Sequence, residues 1–288
     1  MTMRNTAPVG VFDSGVGGLS VLHAIRAALP DEALLYCADS RYAPYGERDD
    51  TFIAARTLGI GRWLAAQHVK AIVVACNTAT AHTVSMLRER LQLPIIGVEP
   101  GIKPAALQSR TRVAGVLATA STLKSARFNA LLAQYGGDCR FVCQAGHGLV
   151  DAIEAGDIDS PVVIQLLSAC LQPILDASAD TLVLGCTHYP FLLNAVRTIT
   201  ADQLHIIDTG EAIARQLVRR LTDQQLLADT SPAAAAHTEP TPVPTPLRLV
   251  TTGDARQLTR IAWQLLGVNV AAEHVEIASE PLYLNVPA

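Results

Sequence analysis

Half of the 288 residues are hydrophobic and 17% are charged, so the chain is too apolar for a disordered polypeptide and long enough for two domains with cores of their own. A net charge of −4 leaves no electrostatic footprint for nucleic acid, and no apolar run approaches the ~20 residues that span a bilayer. The first residues show neither a long apolar stretch nor a processing site, so the expected compartment is the cytoplasm, where the six cysteines stay reduced.

In chain order, 9–12 reads as a buried strand, 15–29 as the helix after it, and 33–38 as a second strand. A polar loop over 39–50 carries the turn signal Pro44-Tyr45-Gly46. Helical spacing runs over 51–67, a third strand over 70–75 and a helix over 79–91. Around 94–104 the pattern resets. A second round begins with a strand at 113–117, followed by a helix, a strand at 139–143, helices at 148–155 and 161–177, and a strand at 181–185. Then come a strand at 204–207, a helix at 210–221, a strand at 247–251, a helix near 254–266 and a short strand near Val275. Between them, 229–246 is rich in Pro, Ala and Thr, which is linker composition. Strands and helices alternating at this pitch predict an α/β protein, built as a duplicated parallel-sheet unit.

The chemistry concentrates in two matching stretches. Ala71-Ile72-Val73-Val74-Ala75-Cys76-Asn77-Thr78 is a buried-strand pattern ending in a small residue, a thiol and polar side chains that open a helix. Thr181-Leu182-Val183-Leu184-Gly185-Cys186-Thr187-His188 repeats it. Parallel sheets place ligands at the carboxyl ends of their strands, so the pair implies one cleft with a thiol on each side. A thiol entering a helix amino terminus meets partial positive charge, which can lower its pKa from about 8.5 to roughly 3.5–7.5. Nucleophilic catalysis needs only one thiol, and neither cysteine loop supplies the arginine of a cysteine phosphatase. Zinc is the other rival, invited by Cys186 and His188 and by Cys139, Cys143 and His147, but neither set has the paired spacing of a structural site.

Asp13-Ser14-Gly15-Val16-Gly17-Gly18 half resembles a dinucleotide fingerprint. Ser20 stands at the third glycine position, however, and Asp13 would face a pyrophosphate. The glycines fit better with backbone approach to a small anion, leaving Asp13 to receive an ammonium group or assist a thiol. Asn77, Thr78 and Thr187 are helix-capping types whose backbone N–H groups also suit a carboxylate, and His188 is placed for proton relay.

Four stretches in order carry a resemblance to a known family: 10–20, Pro44-Tyr45-Gly46, Ala75-Cys76-Asn77-Thr78-Ala79, and Gly185-Cys186-Thr187-His188-Tyr189-Pro190, with a return at Thr251-Thr252-Gly253-Asp254. Together they resemble the bacterial glutamate racemases, cofactor-independent enzymes with two cysteines. The resemblance implies two pseudo-symmetric parallel-sheet α/β domains with the active site in the cleft between them. The first would comprise 1–98 plus 209–288, with 229–246 as a surface insertion, and the second 99–208. It further implies a small-molecule substrate, L- or D-glutamate, no cofactor or metal, D-glutamate supplied for peptidoglycan, and a homodimer as the expected assembly. By motif, Cys76 would handle the proton of the D enantiomer with help from Asp13, and Cys186 that of the L enantiomer with help from His188. Asp13, Ser14, Tyr45, Gly46, Asn77, Thr78, Thr119, Thr122, Thr187 and His188 would hold the substrate. Glu154 resembles a third assisting carboxylate on the Cys186 side, although Cys143-Gln144-Ala145-Gly146-His147 departs from the family's Cys-Pro start. Other two-cysteine racemases, acting on aspartate or hydantoins, and a non-catalytic anion-binding module are the alternatives.

Overall fold

Short runs of β-branched and aliphatic residues form the strands, and every pairing between them is parallel. The structure is a computed structural model that describes residues 6–228 and 246–281. Its strands are β1 (Val9–Asp13), β2 (Leu34–Ala38), β3 (Ala71–Val74), β4 (Ile95–Gly97), β5 (Val113–Ala118), β6 (Arg140–Ala145), β7 (Thr181–Gly185), β8 (His205–Ile207), β9 (Leu247–Thr251) and β10 (Ala272–His274). The helices of the first half are α1 (Leu19–Ala28), α2 (Asp50–Ala66), α3 (Asn77–Arg90) and α4 (Ile102–Gln108). Those that follow are α5 (Ala120–Lys124), α6 (Ala126–Tyr135), α7 (Leu149–Ala155), α8 (Pro161–Asp176), α9 (Leu193–Thr200), α10 (Gly210–Asp223) and α11 (Ala255–Leu266).

Two sheets result, one ordered β10-β9-β2-β1-β3-β4 and the other β6-β5-β7-β8. The order β2-β1-β3-β4 in the first is reproduced by β6-β5-β7-β8 in the second, so the duplicated unit is visible in topology. Strands β1, β2, β3 and β7 are buried along their whole length, as sheets covered on both faces require. A single apolar core joins the two sheets: Val11, Tyr36 and Val73 of the first share it with Leu117, Leu182 and Leu184 of the second. Separate cores fill the outer faces, around Phe12, Ile72 and Leu87 on one side and Ala114, Val116 and Phe128 on the other.

The structure departs from the sequence expectation at a few places. Strand β4 sits inside the stretch read as a junction; three residues between Pro94 and Val98 are too short for a periodic signal, yet Ile95 and Ile96 pair with Ile72 and Val73. Helix α1 starts at Leu19 and not at Gly15, because 14–18 form a glycine-rich turn with another task. The final strand is Ala272–His274, just before Val275. The linker stretch 229–246 lies, except for Pro246, outside the described residues.

The loop after β2 is held from below by a buried charge. Asp39, fully buried, accepts hydrogen bonds from Arg56 Nη2 at 2.6 Å, Arg56 Nε at 3.0 Å, Tyr45 Oη at 2.5 Å and Thr252 Oγ1 at 2.8 Å. Arg56 also donates to the Ile277 carbonyl at 2.5 Å and lies 4.2 Å from the centre of the Tyr42 ring. A carboxylate taken out of water at this depth is tolerable only because four donors replace its hydration. The pair therefore fixes Tyr45 and the chain beside it. Arg56→Met should cost about 3–5 kcal/mol in urea unfolding, because it strands Asp39 without its cation; a loss below about 1 kcal/mol would show that the pair does not anchor this loop.

Candidate active site

Three strand ends meet at one opening. Asp13 closes β1, Cys76 follows β3 and Cys186 follows β7. In each sheet the order reverses at this place, between β1 and β3 and between β5 and β7, which is where parallel α/β sheets accept ligands. Cys76 and Cys186 line a single small, nearly closed cavity. Ser14, Tyr45, Gly46, Asn77, Thr78, Thr119, Thr187 and His188 line it too, together with Pro44 and Val150. Asp13 and Thr122 stand one contact behind this wall. Val150, on α7, was not foreseen; a valine in a helical stretch carries no signal beyond core packing.

On one side, Cys76 is the N-cap of α3, its Sγ accepting the Ala79 N–H at 3.4 Å while its thiol donates to Ser14 Oγ at 3.5 Å. The helix terminus does not win. Burial and the Asp13 carboxylate push the Cys76 thiol up to about 12, against the Ser14 and Ala79 hydrogen bonds. The lowered pKa expected from the sequence is therefore corrected for Cys76, which is a thiol at neutral pH. Asp13 is itself completely buried. Its Oδ1 accepts the Gly15 N–H at 2.9 Å and its Oδ2 the Thr187 hydroxyl at 3.0 Å. Burial raises its carboxyl above the usual range, opposed by the charge of His188 and the Gly15 N–H.

On the other side, Cys186 Sγ lies 3.6 Å from His188 Nδ1, and His188 Nε2 lies 2.6 Å from Glu154 Oε1. Burial alone would lower the pKa of His188, but the Cys186 and Glu154 hydrogen bonds outweigh it and hold the imidazolium well above histidine's ordinary range. Glu154, on α7, thus reaches the site despite the unusual segment before it, which lies in β6 and the turn that follows. Its Oε1 also accepts the Val16 N–H at 2.7 Å.

That last bond explains the glycine-rich turn. The anion it receives is the protein's own Glu154. A side-chain carbon at Gly15 would overlap the Glu154 carboxylate, and one at Gly17 would overlap the His188 ring and Thr187 Oγ1. Ser20, which spoils the dinucleotide pattern, donates to the carbonyls of Gly17 and Thr187, at 2.9 Å each. Both features serve close approach between the two sheets.

Polar groups for a substrate are also present. Thr78 Oγ1 lies 2.9 Å from Thr119 Oγ1 and 3.3 Å from Thr122 Oγ1, a small cluster of hydroxyls at the start of α3 and α5. The Asn77 side-chain Nδ2 is buried with no hydrogen-bond partner, a cost that a bound acceptor would remove. Cys139 is buried in a separate core, and among the described residues no group of three His, Cys, Asp or Glu side chains is arranged to hold a metal ion.

A family model for Asp/Glu/hydantoin racemases matches residues 15–217. This chain belongs to that family. It is 56% identical over 277 residues to a glutamate racemase of Ralstonia nicotianae, covering 96% of each chain. Among solved structures, a glutamate racemase of Bacillus anthracis superposes with a TM-score of 0.80 at 31% identity, over 95% of this chain and 98% of that one. The Escherichia coli glutamate racemase, determined with L-glutamate and the activator UDP-MurNAc-ala, gives 0.79 at 31% identity, over 95% of this chain and 100% of that one. The two-sheet α/β architecture is that of the family.

Two outcomes are expected of this candidate site. Gly15→Ala should fold normally, since only the tip of a flexible side chain must give way, yet lose about 10²-fold in turnover as Glu154 is displaced by an ångström or so; parent-like rates would show that the close approach is idle. A thiol pushed up to about 12 stays neutral below that pH. Alkylation of Cys76 by iodoacetamide, followed by peptide mapping, should therefore climb about tenfold per pH unit from pH 7 to 11, and a plateau near pH 8 would return the helix terminus to control.

Proposed function

We propose that this chain interconverts L- and D-glutamate by a two-base mechanism carried by Cys76 and Cys186. The supporting observation is that both thiols line one cavity while each has a different acid–base partner behind it. High identity to curated glutamate racemases over nearly the whole chain supports the substrate. The unit of function is a pair of lobes, 1–98 with 209–288 and 99–208, that contribute one cysteine each.

For L-glutamate, the Cys186 thiolate takes the α-proton. The C–H bond breaks, its electron pair stays on the α-carbon and spreads into the carboxylate, and the S–H bond of Cys76 breaks to deliver a proton to the opposite face. The protein then holds a Cys186 thiol and a Cys76 thiolate, which is the state that accepts D-glutamate. His188, protonated and backed by Glu154, offsets charge at Cys186; Asp13, whose carboxyl is raised by burial, can exchange a proton with Cys76. A carbanion with no electron sink must be met by hydrogen bonds already in place, and positioned acid–base groups give about 10²- to 10⁴-fold each. Asn77 Nδ2, the Thr78 and Thr119 hydroxyls, and the backbone N–H groups at the start of α3 would receive the carboxylates. Ser14, Tyr45, Gly46 and Thr187 would fix the rest, with Thr122 bracing the threonines.

The D enantiomer would feed peptidoglycan synthesis, as the resemblance implies. Both thiols must stay reduced, and all six cysteines are unpaired, which fits a reducing compartment such as the cytoplasm. No helix among the described residues is long and apolar enough to cross a membrane.

Circular dichroism on each glutamate enantiomer, with α-proton exchange followed in D₂O, tests the assignment. Cys76→Ala and Cys186→Ala should each reduce racemisation by at least about 10³-fold in both directions, since one base cannot invert a centre. Full activity in either variant, or faster turnover of aspartate than of glutamate, sinks the proposal.

A further inference from the structure

Helix α7 ends at Ala155, and its closing carbonyls need partners from outside the helix. The N–H groups of Gly156 and Asp157 turn back to Ile153 and Ala152. The carbonyls of Glu154, Ala155 and Gly156 are taken by three side chains of α11. Gln257 Nε2 donates to Glu154 O at 2.6 Å, Arg260 Nη2 to Ala155 O at 3.2 Å, and Gln264 Nε2 to Gly156 O at 3.1 Å. Spacing of three and then four residues places these donors on one stripe of α11. The neighbouring stripe, Leu258, Ile261 and Ala262, is buried. Gly156 adopts φ 85°, and a side chain there would crowd Arg260 and Gln264.

The stripe crosses between the halves of the molecule. Helix α11 packs on β9 and β10 of the six-stranded sheet, while α7 packs against α8 of the other half. Seven residues make too short a helix to hold its own position, and α7 carries Glu154, whose carboxylate must meet both His188 and Val16 N–H. Gln257 grips the main chain of that same residue. We infer that Gln257, Arg260 and Gln264 are positioning residues, a clasp that seats Glu154 against His188 when the halves close. The inference rests on the racemase reading for its effect on rate. All three donors are exposed, so water replaces the clasp at little cost when the cavity must open.

The test combines Gln257→Met, Arg260→Met and Gln264→Met in the full chain, which removes the donors and keeps the lengths. Amide exchange at Val16 reports the Glu154 seat without reference to turnover, and should become about tenfold faster while the unfolding midpoint stays near that of the parent. Racemisation of both glutamate enantiomers should fall about tenfold in kcat/KM, and Arg260→Lys should be milder than Arg260→Met. In a Glu154→Ala background the same three substitutions should cost less than about twofold, because the residue they act through is gone. Unchanged exchange at Val16, or an equal loss of rate with and without Glu154, overturns the inference. Should the triple variant fail to fold, Arg260→Met alone is read through the same cycle with about half the effect on a logarithmic scale. A parent protein inactive on glutamate would instead sink the functional reading, while exchange at Val16 still decides the clasp.

Discussion

Everything at the site depends on bringing ionisable side chains from two sheets together below the surface, with Asp13 and His188 buried and Glu154 largely so. Asp13, His188 and Glu154 belong to β1, the turn after β7, and α7, and each would be costly to bury alone. They are tolerated because they answer one another: Thr187 and the Gly15 N–H hold Asp13, while Glu154 and Cys186 hold the imidazolium. The polar chain is continuous from one sheet to the other. Glycines at 15 and 17 permit that contact, since any side chain there would stand between the partners.

The same arrangement makes the two thiols unequal. Cys76 faces a carboxylate and is kept protonated; Cys186 faces an imidazolium. A racemase needs one acid and one base at any moment, and two cysteines in identical surroundings would compete for the same state. In the proposed reaction, opposite charges behind the two sulfurs would separate their roles before substrate arrives, and proton transfer through the substrate would exchange those roles. The helix terminus that Cys76 caps is a weaker influence than desolvation and a neighbouring carboxylate, which is the ordinary ranking of these effects in a buried site.

Much of this was legible from residues alone. Two strand patterns ending in Cys76 and Cys186 announced a duplicated unit, and the parallel sheets place both at their carboxyl ends. Strand β7 and helix α8 were readable almost to the residue because long apolar runs leave little choice of element. Strand β4 was not, being three residues between prolines and polar loops, and it exists because β3 offers an edge to pair with. Val150 was invisible for the opposite reason: an aliphatic residue in a helix is core by default, and only the position of α7 puts it on the cavity wall.

The sequence by itself determined the period of strands and helices, the repeat, and the residue types that can move a proton, because these are local properties of side chains and spacing. It could also show that Asp13-Ser14-Gly15-Val16-Gly17-Gly18 is built for an anion. Which anion was decided only in three dimensions, where the Val16 N–H meets Glu154 from the far sheet. The protonation of Cys76 was decided there too. Charge at a buried atom depends on what lies within a few ångströms and on the absence of water, and neither quantity is written in the order of residues along the chain.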